Sequence, residues 1–577
     1  MAELILELYS EEIPPKLQIE ARDQLKLAIQ KKFEEENLTF KEIFVYSSPT
    51  RLSVFVKDIP EKIKIKSKEI KGPKIGSSDE ILQGFTKAKK VSQEDLFEKE
   101  TEKGKFYFIK TNPENIFVTD LLTAVLPKLF TTISWKKSMR WSEHNLMWGR
   151  PLRSIFAVFN KKKLSLKFEH LVSTDNVIVE QDLNTISKKI TNFKDYISFL
   201  KINKIILDQG EREKIILKKI NSSAKSKDYK EIINPQLLEE VVNIVEDPNV
   251  LLGNFNKEYL KIPEEIIIST LEKHQRYFPI FDIRGRLTNN FFLVANKKDE
   301  KKLITEGNKR VVEARLADAK FFWDRDRSKN LIKQIANLKT IMFYEKLGTI
   351  YDKTQRIRQI SGLLSDKLNL NKEKIQIAAS ISKSDLCSDL VGEYPELQGI
   401  MGKYFALSQG FEEDVANSVS DHYLPIGLTS PIPKKPFSYS ISIVDKIDTL
   451  VGFFAIDEKP TSSKDPFALR RAAIGLLRII IENKLSFKLR DLINFSIKLY
   501  EQQGVEIKNE KIELEVLDFM RERMRNIFKL RNIKSDIIEA SISSHSSDNF
   551  LDLYKKTVLI NKHISKEIGI NAVNTYK

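Results

Sequence analysis

The chain has 577 residues, 41% of them hydrophobic, which excludes a disordered protein and predicts several packed domains of ~100–200 residues. The formal net charge of +16 suits a polyanionic partner because phosphate contacts release counterions. The chain is also rich in Lys, Ile and Asn throughout, and a nucleotide bias of the gene that favours these residues would give the same excess of positive charge without any binding. The single cysteine, Cys387, excludes an internal disulfide and a zinc site built on cysteine pairs. The sequence opens without a basic, apolar leader and has no apolar run near the ~20 residues that span a bilayer, so we expect a cytoplasmic protein without a membrane partner.

The first segment, 1–60, predicts a small α+β unit. Residues 3–8 form a short apolar run typical of a strand, and residues 16–36 carry apolar side chains at helical spacing. Residues 43–56 predict two strands around a turn at Pro49. The order strand, helix, strand, strand indicates the start of a mixed α/β N-terminal half in a multidomain α+β protein.

Two further regions complete the N-terminal half. Region 61–180 contains strand-like runs and an apolar helix at 118–133, so we predict an α+β unit there. Region 181–324 predicts a β-rich α+β domain with a helix at 263–275. The highly charged segment 184–240 within it predicts a helical insertion.

Helical periodicity dominates from about residue 325 onward, and strand signals are few. We place a mainly helical domain at 325–504 and a second helical domain at 505–577. Within the first of these, residues 441–455 carry apolar side chains on one helical face, at Val444, Ile447, Val451 and Phe454.

Motifs for self-sufficient catalysis are missing from the sequence. The phosphate loop GxxxxGK[ST] is absent, and residues 136–140 (KKSMR) lack the His-rich partner motif of class I synthetases. None of the six histidines forms HExxH or precedes an aspartate; they are His144, His170, His274, His422, His545 and His563. His274, in LEKHQRYFP, fits best in a local hydrogen-bond network, with a contact to RNA or to a partner chain as the alternative.

Two acidic pairs have the spacing of neighbouring positions on a helix. Asp385 and Asp389 are four residues apart, and Asp445 and Asp448 are three apart. Carboxylates placed in this way can hold a metal ion. Such pairs more often form a solvated face, and this is our prediction for both.

Basic residues concentrate near the C-terminal end. Residues 512–531 predict a helix whose buried stripe is Val516, Met520, Met524 and Phe528. Guanidinium groups beside such a stripe suit bidentate phosphate contacts, although a solubilising surface explains the pattern equally well. The predicted RNA-binding residues are Arg521, Arg523, Arg525, Lys529, Arg531 and Lys534.

Nine blocks of sequence between residues 7 and 480 are typical of one protein family. They are ELYSEEIPP (7–15), SPTRLSVFV (48–56), SMRW (138–141), GRPLRSIFAVF (149–159), VEDPNVLLGNF (245–255), HQRYFP (274–279), GNKRVVEARLADAKFF (307–322), SKSDLCSDLVGEYPELQGIMGKYFA (382–406) and PTSSKDPFALRRAAIGLLRII (460–480). In content and order these blocks resemble the beta subunits of bacterial two-subunit glycyl-tRNA synthetases. KDPFALRR is highly specific to that family, and the chain beyond residue 480 fits more weakly.

The resemblance implies a heterotetramer of two alpha and two beta chains, in which the alpha chain attaches glycine to tRNA with ATP and Mg. The beta chain would bind tRNA(Gly) and support this reaction, with no catalytic residue, cofactor or metal of its own. The resemblance also implies a domain like the HD phosphohydrolases at 325–504, with a degenerate metal site. It further implies an incomplete helical domain at 505–577 that is similar to the anticodon-binding domain of arginyl-type synthetases.

Three features depart from the family pattern. Residues 382–385 (SKSD) stand where an HD-type metal site needs a His-Asp pair, so we expect no phosphohydrolase activity. The segment 170–180 (HLVSTDNVIVE) replaces the usual His-Arg-Phe block. The sequence ends at NAVNTYK, where the family's C-terminal helices normally continue, so we expect a reduced anticodon-binding region.

Two other functions stay open at this point. A metal-dependent phosphohydrolase built on the helical domain would need the missing His-Asp pair and would carry Mn, Fe or Ni. A general RNA-binding protein would have no alpha subunit as partner. The ordered family blocks favour the ligase subunit over both.

Overall fold

The computed structural model describes residues 2–65, 69–89, 91–101, 104–110, 114–181, 184–225, 229–230, 232–427, 429–461, 464–544, 548–564, 566, 569 and 575. His545, Ser462, Ser463 and most of NAVNTYK therefore lie outside the described residues. The fold is mixed α/β with a helical C-terminal half, as predicted. It divides into two compact units, Met1–Lys257 with Leu271–Glu313 and Glu258–Thr270 with Ala314–Lys577.

Over its described residues, the first unit is built from antiparallel sheets and six helices of 8 to 21 residues. Its strands are β1 Ala2–Ser10, β2 Glu42–Ser48, β3 Arg51–Ile59, β4 Lys62–Ile65, β5 Glu69–Lys74, β6 Leu96–Thr101, β7 Gly104–Lys110, β8 Glu114–Phe117, β9 Leu152–Phe159, β10 Lys162–Lys163, β11 Lys167–Phe168, β12 Leu171–Val172, β13 Asn176–Gln181, β14 Asn184–Lys189, β15 Tyr229–Lys230, β16 Asn249–Asn254, β17 Phe278–Asp282 and β18 Leu287–Ala295. Its helices are α1 Pro15–Glu35, α2 Asp79–Lys89, α3 Val118–Phe130, α4 Phe193–Ile202, α5 Gln209–Lys225 and α6 Pro235–Val242.

A five-stranded sheet in the order β10-β9-β1-β3-β2 forms the centre of this unit. Strand β1 is buried on both faces because its even-numbered leucines pack into the core that contains α1 and α3, whereas Ile5 packs with α4 on the other side. Pairing of Leu4 with Val56 and of Ile5 with Phe55 fixes the register of β1 and β3. The predicted strand, helix and paired strands of the first 60 residues are all confirmed.

A smaller three-stranded sheet has the order β5-β7-β6. Helix α2 packs against β5, with the ring of Phe85 so close to Gly72 that a Cβ there would lie 2.8 Å from it. Strand β5 contains a bulge between Lys71 and Lys74, which places Gly72 across from β7. One face of this sheet is therefore held by α2.

A four-stranded sheet, β15-β17-β18-β16, packs against α5 and α6. Helices α4, α5 and α6 confirm much of the predicted helical insertion. The prediction was wrong for β14, which pairs with β13 in a hairpin that matches Val177 with Lys188 and Val179 with Ile186. Every side chain of β14 is exposed, so the strand depends on its pairing partner and not on an apolar pattern of its own.

The second unit is mainly helical, with one short hairpin. Its elements in chain order are α7 Glu264–Ser269, α8 Leu303–Asp326 (which begins in the first unit), α9 Leu331–Gln334, β19 Met342–Tyr344, β20 Gly348–Thr349, α10 Ile350–Leu368, α11 Lys372–Ile381, α12 Asp389–Glu393, α13 Ile400–Ser408, α14 Glu413–Asp421, α15 Pro436–Ala455, α16 Leu469–Glu482, α17 Leu489–Gln502, α18 Ile512–Leu530, α19 Ser535–Ser543 and α20 Phe550–His563.

Helix α15 forms the centre of the helical unit. It is buried around most of its circumference, including the predicted face at Val444, Ile447, Val451 and Phe454. It packs against α10, α14, α16, α17 and α18. A helix surrounded by other helices needs apolar residues on all sides, and α15 has them, interrupted by buried polar residues such as Lys446 and Asp448. Within the described part of the chain, no helix has the length and apolar character to cross a membrane.

Candidate nucleic-acid interface

Helix α18 carries its cations beside its buried stripe. Val516, Met520, Met524 and Phe528 are each no more than 2% exposed, which confirms the predicted stripe. The helical period then places the arginines of this helix on its flanks, where all three are half-buried. The sequence therefore predicted both the core face and the general position of the cations.

Two of these arginines are paired with carboxylates of their own helix. Arg521 Nη1 donates to Asp518 Oδ1 at 2.7 Å. Arg523 Nη2 donates to Glu522 Oε2 at 2.8 Å, and its guanidinium carbon lies 4.6 Å from the centre of the Phe519 ring. Both cations already have partners within the chain.

The third arginine of α18 connects this helix to α19. Arg525 Nε and Nη2 donate to the two carboxylate oxygens of Glu539 at 2.9 and 3.0 Å. The hydrogen bond from Arg525 holds the pKa of Glu539 below its ordinary value, and the same bond raises the pKa of Arg525. The pair is therefore fully ionised near neutral pH.

The other three predicted cations lie around the end of α18. Lys529 is exposed in the last turn, where a positive charge is favourable beside the unpaired carbonyl groups of the helix. Arg531 is exposed, donates to the hydroxyl of Tyr554 and stacks 4.9 Å from the centre of its ring. Lys534 is exposed at the start of α19. Contact with nucleic acid stays a prediction for all six residues, and these three are the accessible ones; we call Lys529, Arg531 and Lys534 the exposed trio.

The acidic pairs behave differently from the prediction of solvated faces. Asp385 lies in a short 3-10 segment and Asp389 begins α12, so they do not share one helix. The prediction holds for Asp389, which is exposed and paired with Lys329. It is wrong for Asp385 and Asp448, which are at most 1% exposed.

Asp445 is half-buried and Asp448 fully buried on α15, where cations from other segments of the helical unit neutralise them. Lys353 Nζ of α10 lies 3.0 Å from Asp445 Oδ1 and 3.2 Å from Asp448 Oδ2. Lys383 Nζ lies 3.4 Å from Asp445 Oδ2. Burial alone raises the pKa of Asp445, but these two ammonium groups outweigh it, so the net pKa lies well below its ordinary value.

Arg356 completes this buried network one turn after Lys353 on α10. Its Nε donates to Asp448 Oδ1 at 2.6 Å, and its guanidinium carbon lies 3.9 Å from the centre of the Tyr500 ring. The Tyr500 hydroxyl in turn donates to the backbone oxygen of Asp448 at 2.9 Å. Burial alone lowers the pKa of Arg356, but Asp448 and Tyr500 outweigh it and the net pKa is raised.

Asp385 lies within the same helical unit and accepts hydrogen bonds from two backbone groups. The N–H groups of Gly399 and Gly402 donate to its Oδ2 at 2.5 and 3.1 Å. Burial raises the pKa of Asp385 to about 6, although these two donors oppose the rise. His422 is fully buried as well, and burial lowers its pKa well below the ordinary value, so it is neutral.

The buried network does not fit a divalent metal. The ammonium groups of Lys353 and Lys383 lie against Asp445, the carboxylate that would have to bind the ion, and they would repel it. Over the described ranges, no group of three or more His, Cys, Asp or Glu is arranged to hold a metal ion. We therefore derive no hydrolytic chemistry from this part of the fold.

Sequence reasoning missed the cations of this network. Lys353 and Arg356 are three residues apart, and Lys446 is a further buried cation on α15, whose pKa burial lowers to about 8. The sequence feature that could have identified these cations is a charged residue at a position where the helical spacing places buried apolar residues. That signal becomes specific only when the carboxylate opposite each cation is known.

Comparison with known proteins gives one consistent family. The family described as "Glycyl-tRNA synthetase beta subunit" matches residues 4–543. The glycine–tRNA ligase beta subunit of Rickettsia canadensis is 37% identical, over 100% of this chain and 85% of the relative. Those of Clostridioides difficile and Rhodospirillum centenum are 34% and 33% identical, over 98% and 100% of this chain and 83% and 84% of the relatives. The chain therefore belongs to the glycyl-tRNA synthetase beta subunit family.

Proposed function

We propose that this chain is the beta subunit of a glycine–tRNA ligase, in which it binds tRNA(Gly) and supports the attachment of glycine by an alpha subunit. The observation that carries the proposal is similarity along the whole chain to proteins named glycine–tRNA ligase beta subunit. End-to-end similarity favours a conserved role for the whole chain and not for one shared domain.

The proposal assigns the chemistry to the alpha subunit. ATP and Mg would act there, in a heterotetramer of two alpha and two beta chains in the cytoplasm. The lack of a phosphate loop in this sequence supports that division. A subunit that positions a substrate can lower a barrier by several kcal/mol without a reacting group of its own, on the scale of about 7–11 kcal/mol known for well-oriented reactants.

The helical unit is our candidate for holding tRNA. The end of α18 offers the exposed trio, and lysine and arginine there suit contacts with phosphate. We propose that 505–577 acts like an anticodon-binding domain and that 325–504 is HD-like in fold only. The ammonium groups of Lys353 and Lys383 support the second point, since they neutralise Asp445 without a metal.

Co-purification followed by tRNA binding tests the proposal. The full chain is expressed with a glycyl-tRNA synthetase alpha subunit and the complex is isolated. We expect the two chains to co-purify and the complex to bind tRNA(Gly) more tightly than a tRNA for another amino acid. A chain that neither retains the alpha subunit nor prefers tRNA(Gly) would exclude this function. It would leave a general RNA-binding protein as the better account.

A further inference from the structure

The small sheet β5-β7-β6 has two faces of different chemistry. Strand register places Phe97 and Lys71 on either side of Phe108, and Lys99 beside Phe106. Side chains alternate between faces along a strand, so these groups share one face with Lys110. We call this the aromatic–lysine face; its residues are Lys71, Phe97, Lys99, Phe106, Phe108 and Lys110.

The aromatic–lysine face lies opposite the face that α2 holds. Gly72 lies in the bulge of β5, beside the backbone oxygen of Tyr107, and the Phe85 ring of α2 packs there. Tyr107 alternates with Phe106 and Phe108, so its side chain belongs to the α2 face. The aromatic–lysine face keeps its lysines exposed, and Phe97 and Phe106 are only half-buried.

Charge separates the two faces further. The aromatic–lysine face carries the exposed lysines 71, 99 and 110, together with Lys74 opposite Phe106, against a single acid, Glu69, which pairs with Lys99. The α2 face of the same strands carries Glu98, Glu100 and Lys105. Cationic groups are therefore concentrated on the side with the accessible rings.

The lysines of this face already interact with its rings. Lys71 Nζ lies 3.3 Å from the centre of the Phe106 ring, and Lys99 Nζ lies 5.7 Å from that of Phe108. The rings of Phe97 and Phe108 are 6.1 Å apart. An exposed ammonium group on a ring is held weakly, and a nucleobase stacks on the same surface more strongly. A base can therefore displace the lysine, which then lies close enough to contact the adjoining phosphate.

We propose that the aromatic–lysine face binds an unpaired segment of RNA, with bases on Phe97 and Phe106 and phosphates on Lys71 and Lys110. Phe97 and Phe106 are diagonal neighbours on the paired strands β6 and β7, and such positions are about 7–8 Å apart, which leaves room for neighbouring unstacked bases. Sheets with accessible aromatic residues bind single-stranded RNA in this way. Within the proposed function, this face would hold unpaired nucleotides of the tRNA, and in that respect the inference rests on the proposed function.

Short RNAs test this inference with the alpha–beta complex. Binding of a fluorescent single-stranded RNA of eight nucleotides is compared with that of a duplex of equal length. The variants are Phe106→Leu and Phe97→Leu, which remove a ring but keep an apolar side chain, and the double variant Lys71→Ala/Lys110→Ala. The matched control is Lys87→Ala/Lys105→Ala, which removes two exposed lysines from α2 and from the α2 face.

We expect each Phe→Leu variant to weaken single-strand binding by about five- to tenfold, because stacking on the ring is lost, and to leave duplex binding unchanged. The Lys71/Lys110 variant should weaken single-strand binding by at least as much, whereas the control should change it less than twofold. The exposed lysines do not contribute to the core, so this double variant remains informative if a Phe variant fails to fold.

Equal single-strand affinity in all variants would overturn the inference. So would variants that lose the alpha subunit while their RNA affinity stays unchanged, because the face would then be a protein contact. Binding of intact tRNA(Gly) by the unmodified complex is measured in parallel. If tRNA binds normally but the face variants have no effect, only this inference fails. If tRNA does not bind at all, the proposed function fails, and single-strand binding that depends on Phe106 would still support the face.

Discussion

Arg525 and Glu539 connect α18 to α19 through hydrogen bonds of 2.9 and 3.0 Å. This relationship gives the central arginine of the predicted RNA-binding set a structural partner. A guanidinium held in this way must leave its carboxylate before it binds phosphate. Among the described residues, none of the exposed trio is held by a carboxylate through a hydrogen bond or ion pair, although the charge of Lys529 helps to lower the pKa of Glu539. We therefore expect it to contribute more to tRNA affinity than the paired arginines do.

Replacing the exposed trio with alanine should weaken tRNA(Gly) binding at least about tenfold at low salt. The salt dependence should also decrease, by about 0.7–0.9 in logarithmic slope for each phosphate that the complex no longer neutralises. The measurement is a titration of the alpha–beta complex at several salt concentrations. Arg521→Ala/Arg525→Ala should show a smaller loss, and Lys214→Ala/Lys218→Ala/Lys225→Ala, on α5, removes three charges as the trio variant does and serves as the control for net charge. A control loss as large as that of the trio would contradict the assignment.

Neutralising Glu539 should have the opposite effect on binding. The variant Glu539→Gln removes an exposed negative charge and loosens the partner of Arg525. We expect tRNA affinity to rise severalfold at low salt, because the carboxylate of Glu539 no longer repels phosphate. The gain should disappear at high salt, because dissolved ions screen this repulsion in the unmodified protein as well. Reduced affinity in this variant would show that the α18–α19 connection itself shapes the binding surface.

The buried network around Asp448 should stabilise the helical unit strongly. The variant Asp448→Asn leaves the fully buried guanidinium of Arg356 without its countercharge, so we expect destabilisation of about 3–5 kcal/mol. Hydrogen exchange of the backbone amides of α10 and α15 measures this loss of stability in the two helices that carry the network. Asp389→Asn, at an exposed ion pair, is the control and should cost no more than about 1 kcal/mol. Equal exchange rates in both variants would refute a stabilising role for the network.

Asp385 should make stability depend on pH in the acid range. Burial raises its pKa from 3.8 to about 6, so between these values the folded state binds a proton that the unfolded state has released. Its contribution is therefore most favourable below pH 3.8 and is lost as the pH rises to about 6. Relative to Asp385→Asn, the unmodified protein should lose stability between pH 4 and 6, by roughly 1–3 kcal/mol. If the free energies of unfolding of the unmodified protein and of Asp385→Asn change in parallel between pH 4 and 6, the raised pKa of Asp385 is contradicted.

Structural features that depend on the pattern of residues within one segment could be predicted from the sequence. The stripe of α18 and the pair β2–β3 follow from apolar spacing within one segment, and both are confirmed. The strand β14 and the burial of Asp448 were not predictable in the same way. Their stability comes from β13 in one case and from Lys353 and Arg356 in the other, and the chain pattern does not show which distant residue will face which. The aromatic–lysine face likewise becomes visible only in the strand register.

Glycylation by a reconstituted complex tests whether this chain acts as the beta subunit of a glycine–tRNA ligase. A glycyl-tRNA synthetase alpha subunit is assayed with ATP, Mg, glycine and tRNA(Gly), alone and with this chain. A tRNA for another amino acid is the matched control. We expect charging of tRNA(Gly) to rise sharply when the chain is added, and the control tRNA to stay uncharged. A rate of glycylation that is the same with and without the chain would contradict its role as a beta subunit.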